Sequence, residues 1–364
     1  MDPERHEQRR FDDRTEVRTG IVGLGNIGHY HAERLGRLDV PLVGGVDVSA
    51  EARDRFRRPY DVDVFEEPDD LFEDLDAVIV TTPNKYHETY AVDALEQDLH
   101  VLLEKPLAHD LESAEAIASV AADSAGLCMV GFNYRFASAV CVLRDRIERG
   151  ELGEITHVEA NYVRRRGIPG RGSWFTRREI AGGGALIDIG VHAIDLALYL
   201  LGEPEVTEVS GVTRSEFGAR DDYVYFEMWG DDDGPDGFDV DDSTSAFVRC
   251  ADDRTISLEV AWATNRPTTH EFVVHGTEAA ATFDLMEGDL TIHSAGTVGG
   301  TYFEDTSITT TEADTHTDEL RAFFDAVVAG EADGGNVEEA LTVQRVVDGI
   351  YRSSEAGRTV QIDD

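Results

Sequence analysis

Residues 19–28, TGIVGLGNIG, constrain the fold of this chain more than any other stretch of its length. A short apolar run ends in Gly23-Leu24-Gly25-Asn26-Ile27-Gly28, and the following NIGHYHAERLGRL has the spacing of an amphipathic helix. When a strand turns through glycines straight into a helix, each glycine has a task. Gly23 permits the tight turn, Gly25 lets the main chain approach a phosphate, and Gly28 lets helix and sheet pack closely. The helix N-terminus, at Asn26 and Ile27, then favours a pyrophosphate.

A GxGxxG alone is a weak signal, and the second strand strengthens it. VPLVGGVDV (40–48) ends at Asp47, 19 residues beyond Gly28, where a carboxylate can accept hydrogen bonds from an adenosine ribose. The same carboxylate repels a 2′-phosphate, and neither Val48 nor Ser49 offers a cation to receive one. NAD is therefore favoured as cofactor, and NADP stays open through Arg53 or another nearby arginine.

Apolar runs and helical patterns then alternate: AVIVTTP (77–83), YHETYAVDALEQ, HVLLEKP (100–106), DLESAEAIASVAADSA and LCMVGFNYRF (127–136). That alternation predicts a doubly wound parallel sheet with right-handed crossovers over 18–136, a Rossmann domain. From about residue 155 the texture changes. ITHVEANYV, EVTEVSGVTR, STSAFVRC, TISLEVAWAT, HEFVVHG and AAATFDL alternate with few helices between them, which predicts a large, mostly antiparallel sheet. The fold class is therefore α/β, with a polar leader over 1–17 that need not be ordered and a second α/β domain over 137–364. WGDDDGPDGFDVDD (229–242), rich in Gly and Asp, is read as a mobile insert.

The net charge of −42 comes from 74 acidic against 32 basic residues. Such a surface repels nucleic acid and anionic lipid, and it suits a counterion-rich cytoplasm such as a halophile's, with a merely acidic mesophilic enzyme as the alternative. The N-terminus is polar, no run approaches the ~18 apolar residues of a membrane span, and a cytoplasmic location is expected. Cys128, Cys141 and Cys250 have no metal-type spacing, so reduced thiols and no metal site are expected.

Lysine occurs only at Lys85 and Lys105 in a chain that otherwise carries its positive charge on arginine. Parallel sheets bind ligands at the carboxyl ends of their strands. Thr81, Thr82 and Asn84 lie at one such end, Glu104 and Lys105 at the next, and Asn133 and Tyr134 at the last, all expected near the nicotinamide. His87 follows the first of these loops and is a candidate cofactor contact, whereas His29 and His31 are read as solvent-facing. Asp188 and His192 lie four apart in GGGALIDIGVHAIDLALYLLG (182–202), so a helix puts them on one face. The pairing suits a general acid/base, or a partly buried structural His–Asp pair. VRRRGIPGRGSWFTRRE is a basic island. It is read either as a loop binding polyol hydroxyls or an anionic group, with Arg164 as a contact and Trp174 stacking on a sugar, or as an intersubunit patch.

The order GxGxxG, EKP, GGGALIDIGVHAID resembles the glucose-fructose oxidoreductase and inositol dehydrogenase family, Gfo/Idh/MocA, over nearly the whole chain. TTPNKYH (81–87), GFNYRF (131–136) and HGTEAAATFD (275–284) extend the likeness. The resemblance implies hydride transfer between NAD(P) and a secondary alcohol of a sugar, glycoside or inositol. It further implies that Lys105, Asp188 and His192 are catalytic, that Tyr134 and Arg135 face the substrate, and that an open sheet serves a homo-oligomer. Tyr134 stands where many relatives have arginine. Some relatives cleave glycosides through transient oxidation and others only regulate a partner. The first usually lack the lysine of EKP, and Lys105, Asp188 and His192 together speak against the second.

Overall fold

A computed structural model describes residues 13–226, 228–330 and 335–362, so residues 1–12 of the expected leader lie outside the described residues. Order reaches back into the leader, where Arg14–Glu16 form one 3-10 turn and Val17 is fully buried. The chain divides into two compact units, residues up to Gly131 with 316–341, and Phe132–Thr315 with the remainder.

The first unit is built on six parallel strands: β1 (Thr19–Val22), β2 (Leu42–Val46), β3 (Asp63–Phe65), β4 (Ala77–Val80), β5 (His100–Leu103) and β6 (Cys128–Val130). Their order is β3-β2-β1-β4-β5-β6, the doubly wound arrangement, with the direction of winding reversing between β1 and β4. Every residue of β1, β4 and β5 is buried, which is why these strands read as unbroken apolar runs rather than alternating ones. Helices α1 (Asn26–Arg37), α2 (Ala50–Tyr60), α3 (Asp69–Phe72), α4 (His87–Leu95) and α5 (Leu111–Asp123) connect the strands. AEARDRFRRPY of α2 buries only Phe56, so apolar spacing gives no sign of it, yet Ser49 caps it by accepting from the Ala52 N–H at 3.3 Å.

The second unit holds nine strands: β7 (Ile155–Val163), β8 (Val206–Arg214), β9 (Ser243–Cys250), β10 (Thr255–Ala261), β11 (Glu271–Gly276), β12 (Ala279–Asp284), β13 (Asp289–Gly296), β14 (Tyr302–Thr309) and β15 (Val360–Gln361). All neighbours pair antiparallel except β7 and β10, which are parallel, so the sheet is mixed but mostly antiparallel as expected. Along β7, Val158, Ala160 and Tyr162 are buried, while His157, Glu159 and Asn161 point to the other, half-exposed face. The helices here are α6 (Ser138–Glu148), α7 (Arg178–Ala181) and α8 (Val191–Leu201), and α8 covers the buried face along β7 and β10.

Arg178–Leu201 is long and apolar enough to cross a membrane by composition, contrary to expectation, but 89% of its most apolar stretch is buried inside the protein. It is therefore the central core helix of the second unit. Helix α9 (Thr315–Ala329) belongs to the first unit almost entirely, its Leu320, Phe323, Phe324 and Val327 packing with Ile21, Leu35 and Phe56. A reading along the chain puts this helix in the second domain, because periodicity reports an apolar face and not the surface that it covers. Helix α10 (Val337–Ala356) follows, and the division between units falls within it.

Candidate active site

In the first unit the glycine motif has the geometry that its spacing predicts. Gly23 has φ +97°, and a Cβ there would lie 2.8 Å from the Thr81 carbonyl. At Gly28 a Cβ would come within 2.2 Å of the Gly23 carbonyl oxygen, so only glycine lets α1 start this close to β1. Gly25 is different, because a Cβ there would meet nothing within 4 Å. The open side of Gly25, beside the first turn of α1 at Asn26 and Ile27, is where a ligand phosphate can approach the backbone. Among the described residues, Thr82 Oγ1 is buried without a hydrogen-bond partner, as a group reserved for a ligand would be. These features fit a bound dinucleotide.

Asp47 follows β2 and accepts from the Leu24 N–H at 2.8 Å and the Ser49 N–H at 2.7 Å, tying the glycine turn to the end of the second strand. Val48 is 70% exposed beside it. Arg53, the cation left open for a 2′-phosphate, donates to the Asp47 carbonyl at 2.5 Å and to Glu66 at 3.3 Å. Thr81 Oγ1 donates to the Gly23 carbonyl at 2.6 Å, and Asn84 is buried just beyond it.

The loop after β5 carries Glu104 and Lys105, and it is pinned on both sides of the lysine. The Glu104 N–H donates to the Val80 carbonyl at 2.9 Å, and its carboxylate meets His31 Nε2 at 2.7 Å. Burial alone would raise the Glu104 pKa, but the His31 hydrogen bond and the charges of His31, His316 and Lys105 outweigh it and hold it below the usual range. His31, read as solvent-facing, is 1% exposed, because α1 turns this histidine inward to the carboxylate. Its neighbour His29 is part-buried against Phe56 and Tyr60. His87 is also buried, with Nδ1 2.8 Å from the Pro106 carbonyl and Nε2 2.9 Å from the Thr82 carbonyl. Both ring nitrogens thus face main-chain oxygens, so His87 braces the two strand-end loops where a cofactor contact was expected. Burial drives the ring toward its neutral form, whose single N–H donates to one of those carbonyls in each tautomer.

In the second unit, Asp188 lies in one π-helical turn, Leu186–Gly190, that runs directly into α8, where His192 is the second residue. Such turns recur at functional sites because they re-aim side chains within a helix. Asp188 and His192 are 8% and 7% exposed. The indole N–H of fully buried Trp262 donates to Asp188 Oδ2 at 2.9 Å. Tyr134 presents its ring to His192, with centroids 4.7 Å apart, and its hydroxyl lies 3.0 Å from that of Tyr162. Burial pushes the Tyr134 hydroxyl well above its ordinary pKa, so it stays a neutral donor. Arg164 lies over the Tyr162 ring at 5.4 Å. Asn133 donates to Thr315 Oγ1 at 2.8 Å.

The glycines before the π turn are explained by what they touch. A Cβ at Gly183 would meet the Tyr351 hydroxyl at 1.9 Å, and one at Gly184 the Asp241 carbonyl at 1.8 Å. Asp241 accepts from the Gly184 and Leu186 N–H groups, each at 2.9 Å, and from Tyr351 at 2.8 Å. The supposed insert therefore ends in two buried aspartates, Asp241 and Asp242, that anchor the π turn before α8 and the turn at Phe217–Gly218.

Two substrate candidates are otherwise engaged. Arg135 forms a bidentate pair with buried Asp195, Nε donating to Oδ2 at 3.1 Å and Nη2 to Oδ1 at 2.5 Å, a structural link that engages its guanidinium. Trp174 stacks on Phe175 at 3.8 Å, which in turn meets Trp229. Most of the basic island serves the unit's own architecture. Arg171 is 3% exposed and bound to Asp232 and two carbonyls, Arg166 bonds Thr264 and Asn265, and Arg178 lies over Tyr351. Trp262, Tyr162 and Asp241 were not singled out from the sequence, and each acts through a partner distant along the chain, as His31 does.

The arrangement has known counterparts. The family model "Oxidoreductase family, NAD-binding Rossmann fold" matches residues 17–132, and "GFO/IDH/MocA C-terminal domain" matches 141–282. A protein of Amycolatopsis mediterranei assigned as a UDP-kanosamine synthase oxidoreductase subunit is 35% identical over 74% of this chain and 75% of its own length. The chain belongs to the GFO/IDH/MocA oxidoreductase family. Within it, the D-glucoside 3-dehydrogenase of Escherichia coli is 28% identical over 95% of this chain and 97% of its own length. The solved structure of a levoglucosan dehydrogenase in complex with NADH superposes with a TM-score of 0.81 at 25% identity, covering 96% of this chain and 99% of that one. The first unit is thus an NAD-binding Rossmann domain.

Proposed function

We propose that this family member is a dehydrogenase that oxidises a secondary alcohol of a sugar, glycoside or inositol. The single observation that carries the reading is the buried Asp188–Trp262 hydrogen bond beside His192, which holds a carboxylate and an imidazole in a protected polar niche. The D-glucoside 3-dehydrogenase name of a relative matched over nearly its full length supports the substrate class.

Bound NAD supplies the hydride acceptor, C4 of its nicotinamide. His192 takes the hydroxyl proton as the carbinol carbon gives up its hydride, so the alcohol becomes a carbonyl and no other oxidant is needed. The Lys105 ammonium stabilises the alkoxide as charge develops on oxygen. Asp188 orients and tunes the imidazole, while Tyr134 and Arg164 are the remaining candidates for hydrogen bonds to substrate hydroxyls. NAD is preferred to NADP because Arg53 is already committed to Glu66 and to the main chain.

A panel of aldoses, glycosides and inositols, assayed at high salt with NAD+ and NADP+ by the absorbance of reduced nicotinamide, tests the reading. Turnover of at least one polyol with higher kcat/KM for NAD+ is expected. Silence across the panel with both cofactors would refute it.

A further inference from the structure

The exposed face of the second unit's sheet carries a cluster that the dehydrogenase reading does not use. His157 on β7 and His275 on β11 are direct cross-strand partners, so their side chains rise side by side from the same face. Their rings lie 5.3 Å apart. Glu159, two residues after His157 on β7, returns to that face, and its Oε1 meets His275 Nε2 at 2.8 Å. One donor atom from each of the three lies within 4.8 Å of the others.

We infer that His157, Glu159 and His275 form a binding site for a divalent transition-metal ion of the zinc class.

A further feature favours a ligand site over an ordinary surface His–Glu pair. His157 Nδ1 stands 3.0 Å from the Thr255 carbonyl, and its hydroxyl is 2.8 Å away. A ligating histidine characteristically donates its other ring N–H to such a carbonyl, which fixes the tautomer and aims Nε2 outward.

Two imidazoles and one carboxylate select Zn2+, Co2+ or Ni2+ over Mg2+ or Ca2+, which prefer shells made of oxygen. Donors on a tetrahedral zinc stand roughly 3.4 Å apart, from bond lengths of about 2.0–2.1 Å. The three half-exposed side chains therefore need only small rotations to close on the ion. Three protein donors leave a position open to water. Ser257 Oγ, 3.4 Å from His157 Nε2, and Phe247 stand beside the cluster.

The test uses the untagged full-length chain, stripped with chelator and titrated with Zn2+ by calorimetry and with Co2+ by visible absorbance. Saturable binding of one equivalent is expected, with tetrahedral-type Co2+ bands. Affinity should drop at least about tenfold in His275→Ala and in His157→Ala, the range that even outer-shell losses reach. Glu159→Gln, nearly isosteric, should weaken binding while leaving the melting temperature of the stripped protein unchanged. His293→Ala, which removes the histidine of β13 paired with Asp305, should bind as the parent does. Absence of saturable Zn2+ binding, or binding that survives in the His157→Ala/His275→Ala double variant, would overturn the inference.

Discussion

Lys105→Ala is expected to lower kcat on the best substrate of the panel by about 10²–10⁴-fold, with little change in melting temperature. The loss should fall on kcat rather than KM, because an ammonium that stabilises a developing alkoxide acts mainly in the transition state. The residues on either side of Lys105 support this role. Glu104 is fixed by the Val80 carbonyl and by His31, and the Pro106 carbonyl is fixed by His87, so the lysine leaves a braced loop. Lys105→Arg should not restore the rate, since a planar guanidinium cannot replace a compact ammonium at a reacting oxygen. His192→Ala should cost a similar factor, and Trp262→Phe, which removes the donor to Asp188 together with part of a buried ring, about tenfold. Steady-state kinetics with matched thermal melts separates these cases, and unchanged turnover in Lys105→Ala and His192→Ala would remove both from the chemistry.

Gly28→Val should be strongly damaging to the first unit. Its Cβ must occupy a point 2.2 Å from the Gly23 carbonyl oxygen, and that atom is main chain that cannot rotate away. The start of α1 and the glycine turn must therefore separate, at a cost of about 2–3 kcal/mol or more. In a unit of this size that corresponds to a fall in melting temperature of about 4–12 °C. NAD affinity should weaken at least about tenfold, because the same displacement moves the N–H groups of the helix N-terminus. Gly25→Ala provides the contrast, since its Cβ meets no protein atom within 4 Å. It should leave the melting temperature nearly unchanged and still weaken NAD binding. Equal melts and equal NAD affinity for parent and Gly28→Val would contradict the role given to this glycine.

What could be read from the sequence follows from the range over which each signal acts. The GxGxxG turn, the apolar strands and the Asp188/His192 spacing are local, and backbone sterics and burial write them into neighbouring residues. Trp262 is invisible by comparison. It ends an alternating strand like any other core residue, and its acceptor lies 74 residues away. His31 looks like a polar residue on an amphipathic helix until Glu104 from a different strand end meets it. Arg135 and His87 were misread for the same reason, because polar residues in a ligand-binding motif also serve to hold that motif in place. Strands β13 and β14 went unrecognised because one is only partly buried and the other mostly exposed, which leaves little hydrophobic alternation to detect. The charge of −42 bears on the solvent that this surface suits and leaves the fold unspecified.

The central claim is direct hydride transfer from a sugar carbinol to nicotinamide, and one isotope measurement tests it. The best substrate from the panel, deuterated at the oxidised carbon, is turned over with NAD+, and the reduced cofactor is analysed by mass spectrometry. The reading predicts that the deuterium appears in the nicotinamide ring, with slower turnover than for the protiated substrate. Reduced cofactor that carries no deuterium would contradict it.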